Sequence, residues 1–144
     1  MVLLVLRLLL VFIQNNMKEN KELLLRYLSM ALPYGVCVHI RYKEGEPCYG
    51  KLTPRDIQWF IDSNIEVIKP YLRPMSSMTE EEINEFILIS DTTLWLGNKR
   101  STCILSIEQM NWLNTHHFDY LGLIPKGLAI AVTEENNPYN IKEE

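Results

Sequence analysis

Apolar and polar positions along this chain repeat with two different periods, and the changes between them outline its elements. Leu24, Tyr27, Leu28 and Ala31 recur at helical spacing while Lys18, Glu22 and Arg26 fall on the other side, which predicts an amphipathic helix over 18–32. Pro33 disfavours helical geometry at Leu32 and stops it. The period then becomes two. Val36, Val38, Ile40 and Tyr42 alternate with Cys37, His39 and Arg41, the pattern of a half-buried strand. Lys43-Glu44-Gly45-Glu46-Pro47 reads as a turn, and Cys48 to Leu52 as the returning arm of a hairpin. Thr53 as cap, Pro54 at the first helical position and Asp56 in the first turn predict a short helix over 54–62. Ser63-Asn64 breaks it, and Ile65 to Lys69 forms a third strand that runs into an extended segment ending at Pro74.

The next helix start is the most sharply written part of the chain. With Thr79 as N-cap, Glu82 occupies the third helical position and the two can exchange hydrogen bonds as a capping box. Met78 and Ile83 then stand at staple positions, and Glu80, Glu81 and Glu82 fill the first turn, where the helix dipole favours negative charge. Successive helical residues point about 100° apart, so these three carboxylates do not converge on one ion. The helix covers 80–90, and residues 91–102 carry no clear period. Ser106 with Gln109 is a second capping box, opening a helix to about His116. Asp119 is placed to cap a short helical turn through Leu123, Leu128 to Val132 reads as a last strand, and 133–144 as a frayed acidic tail. These elements predict an α+β fold: an N-terminal helix, a small antiparallel sheet of about three strands with a short inserted helix, and a mostly helical C-terminal half.

Residues 1–16 break this pattern. Val2 to Ile13 is apolar except for Arg7 and is followed by Gln14-Asn15-Asn16 and a second methionine, Met17. Twelve helical residues span about 18 Å, short of the ~30 Å hydrocarbon thickness of a bilayer. A signal peptide carries its basic residues before the apolar run and small residues at the cleavage site, whereas here the basic residue is central and Ala, Gly and Ser are missing. We read residues 1–16 as an apolar leader from a start codon placed too early, residues 17–132 as one α+β domain, and 133–144 as the tail. A membrane-associating segment and an authentic packing helix are the alternatives for the leader.

Composition narrows the partners. The chain carries 14 basic and 18 acidic residues, and a net charge of −4 argues against broad phosphate-backbone binding. Cys37, Cys48 and Cys103 match neither a disulfide framework nor a zinc signature, and reduced thiols fit a cytoplasmic protein.

Two segments carry a family likeness: Lys69-Pro70-Tyr71-Leu72-Arg73-Pro74-Met75-Ser76-Ser77-Met78-Thr79-Glu80-Glu81-Glu82 and Trp112-Leu113-Asn114-Thr115-His116-His117-Phe118-Asp119-Tyr120. With Leu32-Pro33-Tyr34-Gly35-Val36, Gly122-Leu123-Ile124 and Gly127-Leu128-Ala129, they resemble a family of small uncharacterised proteins from phage and prophage genes of gut bacteria. Leu121 stands where that family usually has arginine. The resemblance implies a genomic setting and no mechanism.

Candidate chemistry is sparse. His116 and His117 diverge by about 100° on a helix and do not jointly bind one metal. A Cys–His nucleophile from Cys37 or Cys48 with His39 has a weak basis, Cys37 and His39 sharing a strand face at about 7 Å. No catalytic, metal or cofactor site is assigned. Trp112, His116, His117 and Tyr120 form a candidate partner surface, with His116 and Tyr120 at the surface and Trp112 and Phe118 sealing the last helix against the sheet. Arg55, Lys69, Arg73, Lys99 and Arg100 form a candidate basic patch. The leading expectation is a non-catalytic, phage-type accessory protein that binds a protein partner. A nucleic-acid-binding accessory protein and a small enzyme with an unrecognised site are the alternatives, and a membrane partner is expected only if residues 1–16 are authentic.

Overall fold

The first helix is longer than its amphipathic face. In a computed structural model, which describes residues 1–97 and 105–140, α1 runs unbroken from Val2 to Ala31. Its buried residues are Leu24, Tyr27, Leu28 and Ala31, the four that the spacing predicts. Burying a side chain such as Leu28 contributes about 2 kcal/mol. The apolar side chains of Val2 to Ile13 are each 50 % exposed or more, so that half of the helix adds nothing to the core. A chain beginning at Met17 is therefore expected to unfold at the same denaturant midpoint as the full chain and to stay soluble at higher concentration. A lower midpoint would show that the apolar half supports the fold. No helix among the described residues is long and apolar enough to cross a membrane.

After a 3₁₀ turn at Leu32–Tyr34 the chain enters the sheet. Strand β1 (Cys37–Tyr42) pairs antiparallel with β2 (Cys48–Lys51), with Cys37 opposite Lys51 and His39 opposite Tyr49. Thr53 caps α2 (Pro54–Ile61) through a full capping box with Asp56. Strand β3 (Ile65–Leu72) then returns antiparallel to β1, with His39 opposite Lys69 and an irregularity between Arg41 and Tyr42. Val36, Val38 and Ile40 point inward with Ile68 and Leu72, and they meet the buried face of α1 together with Leu52, Phe60, Ile65, Leu123 and Ala129.

Helix α3 (Glu80–Gly97) opens in the expected register. Thr79 Oγ1 accepts from the Glu82 amide at 3.2 Å, and the Thr79 amide donates to Glu82 Oε1 at 3.0 Å. Ile83, expected to staple onto Met78, is 42 % exposed, while Met78 packs against Trp112, Leu113 and Phe118. Thr79→Ala should cost about 1 kcal/mol by stripping one helix-start amide of its partner. Ser77→Ala should cost clearly less, because Ser77 Oγ donates to the Pro74 carbonyl at 2.6 Å outside the helix. Denaturant titrations giving the opposite order would contradict this register. Helix α4 (Ile107–Thr115) has the predicted Ser106–Gln109 capping box.

The fold is α+β with a mixed sheet of four strands in the order β2-β1-β3-β4, not an antiparallel sheet of three. Strand β4 is only Ile130–Ala131 and runs parallel to β3 at Tyr71 and Leu72. Two residues are too few to show alternation, and only the return of the chain to β3 makes them a strand. Just beyond, Phe118 bridges to Arg73, with the Arg73 amide donating to the His117 carbonyl at 2.8 Å.

The C-terminal half is less helical than predicted. Beyond Thr115 the described chain has turns and β4 but no further helix. Asp119 accepts from the Leu123 and Ile124 amides (2.7 and 2.9 Å) and closes a loop in place of the expected helical turn. Gly122 and Gly127 hold φ of 72° and 75°, a left-handed geometry that interrupts a helix. The tail is not frayed as far as Asn140. Thr133 and Asn136 exchange hydrogen bonds, and the Tyr139 hydroxyl accepts from the Cys37 amide (2.9 Å) and donates to the Tyr71 carbonyl (2.7 Å).

Candidate interaction surface

The aromatic segment from Trp112 to Tyr120 faces mainly inward. Trp112 is 9 % exposed; its ring stacks on His116 at 4.1 Å and on Phe118 at 5.7 Å, and its Nε1 donates to Glu85 at 3.1 Å. His116 Nδ1 lies 2.8 Å from the Trp112 carbonyl, which can only accept, so that nitrogen carries the hydrogen. Tyr120 was expected at the surface but is half-buried. Its hydroxyl donates to Asn114 at 3.0 Å, its ring meets Tyr27 edge-on at 6.2 Å, and it packs against both hydrophobic clusters. The physical reason is the Asp119 loop, which folds Tyr120 back under α1 instead of continuing a helix into solvent.

His117 sits at the junction of this segment and the tail, with a left-handed φ of 59°. Its ring stacks on Tyr139 at 3.9 Å, and its buried Nδ1 has no hydrogen-bond partner. Burial first, then the nearby positive charges of His116 and Arg73, push its pKa from 6.5 down to about 4. On acidification the unfolded chain therefore takes up the proton before the native chain does. The stability tied to neutral His117 is whole above pH 6.5 and is lost as the pH falls to about 4. His117→Asn, which tolerates the left-handed geometry, should flatten the stability curve in that window. An unchanged slope would mean that His117 titrates normally.

The candidate basic residues among the described ones, Arg55, Lys69 and Arg73, are spread apart. Arg73 is consumed by a two-point ion pair with Glu82 (2.8 and 2.7 Å), and its guanidinium lies 4.2 Å from the Phe118 ring centroid. That bond, with the Thr79 backbone bond, outweighs burial and holds the Glu82 carboxyl down to about 2. Arg55 lies over Trp59, 4.7 Å from its centroid, and Trp59 packs on Tyr42 opposite Ile65. Arg55 and Arg73 thus stand at opposite ends of an eight-residue strand, about 25 Å long. Lys69 is in mid-strand, and Lys99 and Arg100 lie outside the described residues.

Cys37, one of the two thiols considered as a nucleophile, is not activated. Burial pushes the Cys37 thiol up, only partly opposed by Lys51, which is the reverse of what a thiolate nucleophile requires. Among the described residues no cluster of three or more His, Cys, Asp or Glu side chains is placed to hold a metal ion.

A different feature stands out, at the edge of β3. Strand β4 covers that edge only at Tyr71 and Leu72, so among the described residues Ile65 to Lys69 has no strand partner on that side. The Leu72 carbonyl accepts from Val132 across this edge at 2.8 Å. By strand alternation, the amide and carbonyl of Ile68 point the same way. Beside them lies an open groove of about 490 Å³, walled by Leu24, Phe60 and Leu128, with Lys21, Lys43 and Glu66 at its rim. Sequence spacing could not reveal it, because its walls come from α1, α2, β3 and the loop before β4.

Comparison with protein-family models, with curated proteins and with solved structures found no match to this chain.

Proposed function

We propose that this protein is a non-catalytic interaction module that takes an extended segment of a protein partner onto the open edge of β3. The observation that carries this reading is the unpaired stretch Ile65–Lys69 lying along the floor of the groove. An added strand would satisfy the free backbone groups of that edge, while the apolar walls receive alternate side chains. Three lysines, Lys21, Lys43 and Lys69, against one glutamate along the groove favour an acidic segment. The likeness to small phage and prophage proteins supports an accessory role in the cytoplasm of a bacterial host.

A photo-crosslinking residue at Asn20, inside the groove, should capture a partner from host cells, and one at Glu108, an exposed position on α4, should not. Lys21→Glu combined with Lys43→Glu should abolish the Asn20 adduct. Equal capture from both positions, or an adduct indifferent to the charge reversal, would overturn the proposal.

A further inference from the structure

The sheet has a second face, and its composition differs from that of the chain as a whole. Cys37, His39 and Arg41 of β1, Val67, Lys69 and Tyr71 of β3, and Tyr49 and Lys51 of β2 point away from the core that Val36, Val38, Ile40, Ile68 and Leu72 form with α1, while Ile65, beyond the irregularity at Arg41 and Tyr42, points inward. The strand register sets them out as a grid. One row runs Lys51 and Cys37, with Tyr71 one step beyond the last residue of β3 that pairs with β1; the next runs Tyr49, His39, Lys69; the third holds Arg41 and Val67. Each tyrosine therefore has a lysine two residues away on its own strand, Tyr49 with Lys51 and Tyr71 with Lys69, about 7 Å along the strand. His39 stands between the pairs. Tyr49 is 69 % exposed, while His39, Lys69 and Tyr71 are only partly exposed.

Charge on this face runs against the acidic balance of the molecule. Lys51, Lys69 and Arg41 lie on it, and Glu66 is its near carboxylate, bound to Arg41 at 3.2 Å. Among the described residues Lys51 and Lys69 have no paired carboxylate, on a chain of net charge −4. Glu44 and Glu46 lie in the β1–β2 turn, beyond the Arg41 end of the grid. The positive charge is thus concentrated in the two rows that also carry the tyrosines.

We propose that this outer face binds single-stranded nucleic acid. Exposed aromatic rings offer stacking platforms that accept any base, and a lysine beside each ring can take the adjoining phosphate. Tyr49 and Tyr71 are separated by two strand spacings and one row, about 12 Å, so they can hold two splayed bases on opposite sides of His39. A flat sheet face has no helix to place in a duplex groove, so the preference is for unpaired strands. This surface adjoins the groove on the β3 edge through Val67 and Lys69, which line both, but Tyr49, Lys51 and His39 lie outside the groove and the proposal does not depend on the reading of it.

The test is fluorescence anisotropy of the full chain with a labelled twenty-nucleotide oligo(dT), an oligo(U) of equal length, and a duplex of random sequence, between 50 and 200 mM salt, roughly the range where counterion release dominates. Binding of both single strands with weaker binding of the duplex is expected. Tyr49→Ala, at an exposed position that leaves the core intact, should weaken binding by about tenfold. Lys51→Glu with Lys69→Glu should reduce the salt slope by roughly 1.4, the equivalent of two phosphate contacts. Lys21→Glu with Lys43→Glu, at the groove, should bind oligonucleotide as the parent does, so failure of one surface is distinguishable from failure of the other. Absence of binding at 50 mM salt, equal affinity for the duplex, or indifference to Tyr49→Ala would each overturn the proposal.

Discussion

Phe118→Ala should destabilise the protein by about 3–5 kcal/mol, the range for deleting a fully buried aromatic side chain. Phe118 has no exposed surface, and its ring is held between the stacked Trp112 indole and the Arg73 guanidinium. Truncation opens a cavity that neither neighbour is free to fill. Trp112 is tied to Glu85, and Arg73 to Glu82. It also removes the apolar surface under the Arg73–Glu82 pair and admits water there, which weakens an ion pair that is now mostly shielded. Phe118→Leu keeps most of the volume and should lose less. Urea titration of the two variants checks this, and a loss below ~1 kcal/mol for the alanine would place Phe118 outside the core.

The second large effect is expected at Tyr139. Its hydroxyl bridges the Cys37 amide and the Tyr71 carbonyl, where β1 and β3 part company. Tyr139→Phe should cost about 1–3 kcal/mol, because both backbone groups lose their partner in a part-buried setting. Tyr139→Ala should cost more, about 3 kcal/mol or above, since it also uncovers the His117 ring. Burial pushes the Tyr139 phenol well above its usual range, which favours the neutral hydroxyl that donates to Tyr71. A chain ending at Val132 should behave like Tyr139→Ala. Full stability in that shortened chain would restore the reading of residues 133–144 as a passive tail.

Local sequence was informative where the interaction was local. The Thr79–Glu82, Ser106–Gln109 and Thr53–Asp56 starts depend on residues three apart, and all three form as hydrogen-bonded helix starts. The inward face of α1 and the alternation of β1 are equally short-range, because one apolar stripe or every second residue must meet the core. The β1–β2 hairpin belongs to the same group.

Long-range closure was not legible. Asp119 stands where an N-cap residue would, yet its carboxylate holds a loop, because Gly122 takes a left-handed geometry and the chain must turn toward α1. Tyr120 shows the same limit from the surface side: its polar end finds Asn114, so the ring can be packed at little cost. Arg73 looked like a free cation in a basic stretch, and only the approach of α3 and Phe118 turned it into a structural pair. The outer-face grid was half visible, since Tyr49 with Lys51 and Lys69 with Tyr71 share strand parity. Which two strands flank β1, and in which register, lay beyond it. Sequence by itself determined the helix starts, the strand alternation and the inward stripe of α1, all set by contacts within a few residues. Tertiary structure alone decided the parallel fourth strand, the docking of Tyr139 and the open edge of β3. Each of these depends on which distant segments come to lie side by side, and no local periodicity records that.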